Sequence, residues 1–245
     1  MHYFLQILDK EGHRVAPGDN VLDLGCGNGS LVQALREDGV NAEGCDIKFK
    51  EGPHAHALEQ KGVIRKIAMP QYRLPYDDNS FDYIVSETVF EHVKNTDATI
   101  AEIHRVLKPG GISLHYFPSR YGLVENHVHV PLASVFRSYP YLWLWAVLGV
   151  RKKKQRGLQA SAVARMNKEY LENSTHYLTT RQIREAFGRR FPEVRFVEKT
   201  AIRHSTSRLT VLLAKGLFFV PFLPYLYRTF KAVVVMTRKE GGKDE

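Results

Sequence analysis

The chain has 245 residues, of which 44% are hydrophobic and 25% charged, and its formal net charge is +9. This composition excludes a disordered or fibrous protein, and the length suits one domain with a full core or one domain carrying an insertion. Cys26 and Cys45 are the two cysteines, too few for a disulfide framework and without zinc-site spacing, so a reducing cytoplasm is the expected compartment. The positive charge favours an acidic partner: nucleic acid, anionic lipid or a phosphorylated substrate.

Residues 1–15 lack the apolar core of a secretion signal and read as a short amphipathic helix. Residues 21–24 (VLDL) form an apolar run that stops at glycines, a first strand. Residues 30–37 have helical spacing, with Leu31, Ala34 and Leu35 on one side. Second and third strands are expected at 41–46 and 63–68. A fourth, at 81–86, follows the turn-forming YDDNS at 76–80. A helix at 96–107, with Ile100, Ile103, Val106 and Leu107 inward, ends at Pro109-Gly110-Gly111, and 112–117 is a fifth strand. Such alternation implies a mostly parallel sheet covered on both faces.

The rhythm breaks over 118–175, which reads as an insertion on the acceptor side of a single domain whose core is 15–117 and 176–240. The insertion holds the apolar stretch YPYLWLWAVL at 139–148 and the basic run RKKKQR at 151–156. The rhythm resumes with Thr179 and Thr180 capping a helix through Phe187, a strand at 194–199 and a valine-rich last strand at 231–237. Residues 209–227 are almost wholly apolar, with Lys215 the exception.

The first strand runs into Asp23-Leu24-Gly25-Cys26-Gly27-Asn28-Gly29-Ser30, then a helix. Alternate glycines let the backbone turn sharply and approach a ligand, and the helix start offers free N–H groups. Asp46 ends the second strand, where a carboxylate can accept both hydroxyls of a ribose, so a nucleoside is expected at the carboxyl ends of the strands. The dinucleotide fingerprint G-x-G-x-x-G would need glycine where Ser30 stands. S-adenosylmethionine (SAM) needs no pyrophosphate site, and Asp23 suits its ammonium, partly through water.

On these residues the chain resembles the class I SAM-dependent methyltransferases, in the group that includes small-molecule and ubiquinone-type enzymes. VLDLGCGNG at 21–29, Asp46, LPYDDNSFDYIVSETVFEHV at 74–93 and IHRVLKPGG at 103–111 follow that family's order and spacing. The resemblance implies a Rossmann-like, doubly wound, seven-stranded, mostly parallel sheet with an antiparallel last strand. It implies SAM as cofactor, held by Asp23, Gly25, Cys26, Gly27, Asn28, Gly29, Asp46, Ile47, Met69 and Glu87. One departure is visible: relatives often carry an acid after the third strand, near adenine. Here the segment is Ala68-Met69-Pro70-Gln71, so Met69 is expected on the adenine face and Gln71 at its edge.

Methyl transfer is an in-line displacement accelerated largely by positioning, and a base is needed only when the acceptor must lose a proton. His92, in a Glu91-His92 pair, is one candidate facing the acceptor. The others are His127 and His129, within a segment running from Arg120 through Glu125 to Pro131. In extended backbone the two histidines would share a face. With Glu125 they could ligate a metal or supply a base; a hydrogen-bonded or solvated histidine is the plainer alternative, and no metal is assigned. The Arg…Glu-x-His…Pro pattern looks like that of bacterial methyltransferases encoded among glycan-assembly enzymes.

Residues 139–148 are too short to span a bilayer, and 209–227 are interrupted by Lys215, Pro221 and Pro224. Both are expected to lie on a membrane surface or in the core, with the basic run near lipid phosphates. The expected activity is SAM-dependent methylation, on oxygen, of a small-molecule, glycan or lipid-linked acceptor, by a cytoplasmic protein peripheral at the inner membrane face. Two alternatives stay open: an RNA methyltransferase, which lacks support from any appended RNA-binding module, and a non-catalytic SAM-binding, membrane-associated protein. The sequence does not set the oligomeric state.

Overall fold

The computed structural model describes residues 3–69, 72–205 and 220–241. Apolar runs bounded by turn residues become β1 (Asn20–Leu24), β2 (Asn41–Asp46), β3 (Ile64–Lys66), β4 (Phe81–Glu87), β5 (Leu107–Pro118), β6 (Glu193–Phe196) and β7 (Ala232–Arg238). They form one sheet in the order β3-β2-β1-β4-β5-β7-β6. The pairings from β3 to β5 are parallel, and β7 runs antiparallel to both β5 and β6. This is the seven-stranded, mostly parallel Rossmann-like sheet expected from the sequence, antiparallel last strand included.

Helices α1 (Tyr3–Lys10), α2 (Ser30–Glu37), α3 (Ala55–Gln60), α4 (Thr96–Val106) and α7 (Thr180–Gly188) cover the sheet. Successive strand residues point to opposite faces, and the core divides accordingly. Val21, Leu114, Val234 and Met236 pack with Ile7, Leu8, Val32 and Leu35. Leu22, Leu24, Val233 and Val235 pack with Ile100, Ile103, Ile183 and Phe187. The α4 start is fixed by Asn95, whose side chain accepts the Ala98 N–H, and α7 begins with a reciprocal Thr179/Gln182 capping box.

Several expected boundaries move. α4 ends at Val106, and Pro109 to Gly111 fall within β5, where the register against β4 shifts; Gly110 takes φ 77° there. The strand expected at 194–199 stops at Phe196 and turns into α8 (Glu198–His204). A buried carboxylate marks the change: Glu198, at the start of α8, accepts the Val234 N–H and pairs with Arg228. The segment between β5 and α7 is itself helical, with α5 (Tyr139–Val147) and α6 (Ala160–Asn173) closing a small core of Val128, Val130, Ala133, Leu142, Ala164 and Leu171. In the apolar segment 209–227, positions 209–219 lie outside the described residues, while α9 (Leu223–Phe230) leads into β7. Among the described residues, no helix is long and apolar enough to cross a membrane.

Candidate functional site

The strand order reverses direction at β1, flanked by β2 and β4, and a crevice opens at the carboxyl ends of such strands. A cleft of about 270 Å³ lies there, lined by Leu24 and Gly25 after β1, Asp46 and Ile47 after β2, and Glu87, Thr88 and Val89 after β4. Gly25 has φ 82°, and a Cβ on it would sit 2.3 Å from Val89 Cγ2, so the turn admits no side chain. Its N–H donates to Cys45 O at 2.7 Å, tying the loop to β2.

Asp46 is held from both sides. Its Oδ2 accepts the Gly27 N–H at 2.9 Å and its Oδ1 the Lys48 N–H at 3.1 Å. A carboxylate has about four lone-pair sites, so two backbone bonds leave it able to receive vicinal hydroxyls. Asp23 is buried one turn behind; burial first, then the charges of Asp46 and Glu87, push its carboxyl up to about 7. Glu87 is also raised, by burial, with Lys50 opposing. Asp46 and Glu87 in the lining, with buried Asp23 close enough to feel their charges, outnumber Lys50, the cation in the lining, and favour a cationic ligand.

The remaining expected cofactor residues divide. Cys26, Asn28 and Gly29 form the loop and helix start beneath the cleft but are not among its lining residues. Cys26 is buried against Gly44, and a Cβ on Gly44 would lie 2.7 Å from Cys26 Cβ, so this cysteine packs the loop onto β2. Met69 is exposed and does not reach the lining; Ile67, Tyr72 and Leu74 wall that side instead. An isolated bridge between Ala68 and Arg73 turns the chain at this point and leaves Met69 at the turn. Gln71 lies outside the described residues.

At its other end the cleft is lined by His92, Val93, Thr99 and His127. His92 sits in a short 3-10 turn (Phe90–His92) after β4, and its Nδ1 is 2.7 Å from Ser174 O. The His92 and His127 rings meet edge to face at 4.8 Å. Behind them lies Glu91, whose side chain is fully buried and whose Oε1 is 3.9 Å from His92 Nε2 and 4.0 Å from His127 Nε2. Burial first, with the charge of Glu125 adding, pushes the Glu91 carboxyl up to about 8. Burial lowers His127.

His127 and His129 do not act as a pair. The segment is a turn, His129 takes φ 61° and is exposed, and the alternation expected of extended backbone does not apply. Glu125 is already engaged, accepting the N–H groups of His127 and Val128 and the Tyr177 hydroxyl. The expected grouping of Glu125, His127 and His129 is therefore replaced by Glu91, His92 and His127. The sequence reading also missed Lys50 as a lining residue. Its N–H donates to Gly27 O, a contact made only once the chain after β2 folds back over the glycine loop.

Residues 22–114 match the model of a methyltransferase domain. A demethylmenaquinone methyltransferase of Beutenbergia cavernae is 32% identical over 142 residues, covering 54% of this chain and 58% of that protein. A ubiquinone biosynthesis O-methyltransferase of Agrobacterium fabrum is 33% identical over 104 residues, 42% of each chain. The chain spans about half the length of these curated relatives. Among solved structures, a phosphoethanolamine N-methyltransferase of Haemonchus contortus, in complex with S-adenosylhomocysteine, superposes with a TM-score of 0.53 at 18% identity, covering 97% of this chain and 52% of that one; at that identity the likeness is one of fold. The fold is the Rossmann-like sheet of class I methyltransferases, and the stretch that carries β1 to the middle of β5 matches a methyltransferase domain. The relatives that match this region include menaquinone- and ubiquinone-type enzymes and sterol C-methyltransferases.

Proposed function

We propose that this protein transfers the methyl group of SAM to an acceptor held against His92 and His127. The observation that carries the reading is the continuity of one cleft, with the Gly25, Asp46 and Glu87 end suited to SAM and the two histidines at the other end. Asp46 takes the ribose hydroxyls, Glu87 and Asp23 face the ammonium side, and Ile67, Tyr72 and Leu74 form an apolar wall for adenine. SAM supplies an electrophilic methyl on a sulfonium; the chain's part is to fix both reactants in line and exclude water. Two imidazoles at the acceptor end suit an acceptor that must lose a proton, which favours a hydroxyl on a small-molecule, glycan or lipid-linked acceptor.

The lipid-linked acceptor has its own support. α5 leaves Trp143, Leu144, Val147 and Leu148 exposed, and Lys153, Lys154 and Arg156 are exposed just beyond it. Aromatic and apolar side chains beside cations suit a peripheral contact with an anionic membrane face through 139–156. A second cavity of about 480 Å³, walled by Leu123, Val124, Leu223, Leu226 and Phe230, reaches the same Glu125 turn and suits the apolar body of an amphiphile.

Methyl-labelled SAM incubated with the protein and a whole-cell extract, followed by partition of the label, tests the reading. Label in the organic phase supports a lipid-linked acceptor. Label in the aqueous phase supports a small molecule or glycan, and label on nucleic acid points to the RNA alternative. SAM bound with no label transferred would contradict catalysis.

A further inference from the structure

Three lone-pair donors converge behind the acceptor end of the cleft, and none of them is hydrogen-bonded to another. Ser174 O, a carbonyl, can only accept, so His92 Nδ1 carries the proton of that 2.7 Å bond and the neutral ring presents the bare lone pair of Nε2. That lone pair faces Glu91 Oε1 at 3.9 Å. His127 Nε2 faces the same oxygen at 4.0 Å and has no hydrogen-bond partner among the described residues. Neither Glu91 oxygen finds a partner in another described residue, although the residue is 99% buried, the complement of its 1% exposure. Carboxyl oxygens buried without a partner are costly. Separations near 4 Å are also too long for hydrogen bonds between these atoms.

We infer that Glu91, His92 and His127 form a site for a divalent transition-metal cation. One ligand atom from each lies within 4.8 Å of the others. Atoms bound to one such ion at about 2.0–2.2 Å stand roughly 3–3.5 Å apart, so side-chain shifts that close the set by up to about 1.3–1.8 Å complete it. Two imidazoles and one carboxylate suit a first-row ion such as Zn²⁺, Mn²⁺, Fe²⁺ or Co²⁺ and leave coordination positions free. Both histidines line the cleft while Glu91 lies behind them, so the free positions face the acceptor. The Nδ1–H to carbonyl bond of His92 is the supporting contact that orients a ligating imidazole. An ion there gives the cleft a cationic anchor for an anionic or hydroxyl oxygen. This last role rests on the proposed methyl transfer; the site itself does not.

The test is titration of chelator-treated, tag-free protein with Co²⁺ and with Zn²⁺, read by calorimetry and, for Co²⁺, by its visible absorption. The expected result is one ion per chain, with affinity reduced about tenfold to a hundredfold in each of Glu91→Gln, His92→Ala and His127→Ala. His129→Ala and Asp46→Ala should bind the ion as the unmodified chain does. Thermal melts identify any variant that fails to fold, and Glu91→Gln, nearly isosteric, is the decisive one. Absence of stoichiometric binding, or binding unchanged in folded Glu91→Gln, overturns the site. Ion binding without methyl transfer would leave the site standing and contradict the proposed function; methyl transfer by a protein that binds no ion would do the reverse.

Discussion

Glu91 and Gly25 make the sharpest statements at the scale of single residues. Glu91 holds its proton more tightly folded than unfolded, its carboxyl standing at about 8 against an ordinary 4.5. Raising the pH through that window therefore removes stability. In chelator-treated protein, the melting temperature of Glu91→Gln relative to the unmodified chain should rise between pH 5 and pH 8; parallel curves would contradict the burial argument. Gly25→Ala places a Cβ against Val89 at a positive φ and should cost on the order of 1–3 kcal/mol and weaken SAM binding, read by melting and calorimetry. That Gly25, Asp46 and His92 would line one cleft was legible because each lies at or soon after a strand end in the chain. The meeting of His127 with Glu91 was not, since it joins two loops through the fold. The His127/His129 pairing failed because period-two facing holds only for extended backbone, and His129 is left-handed.

At the scale of elements, strands ending in glycine or turn residues were readable, while the ends of β5 and β6 were not. VRFVEK has strand composition throughout, yet Glu198 finds its partners in Val234 and Arg228, which only the assembled sheet supplies. The α7 cap was readable from Thr179, and Thr179→Ala should lower stability by about 1 kcal/mol in chemical denaturation. The insertion defied a periodic reading because α5 is apolar nearly all round while burying only Leu142 and Ala146. If that excess is a membrane face, Trp143→Ser with Leu148→Ser should reduce co-sedimentation with anionic vesicles several-fold and leave SAM affinity unchanged. Equal sedimentation would return α5 to a purely structural role.

For the whole molecule, the sheet sets what the site can be. Reversal of strand order at β1 opens one crevice, and the sequence places Asp46 and Glu87 at the ends of the two strands flanking β1. A net charge of +9 surrounds that anionic cleft, so attraction of the whole chain to acidic surfaces and attraction of the cleft to a cationic cofactor are separate properties. Raising salt should weaken vesicle binding far more than SAM binding. The measurement that bears most directly on the central claim is calorimetric titration of SAM into the unmodified chain and into Asp46→Ala. One saturable site in the former, weakened at least about tenfold by loss of the ribose carboxylate, is the expected result. No binding, or equal affinity in the variant, would contradict the placement of SAM in this cleft.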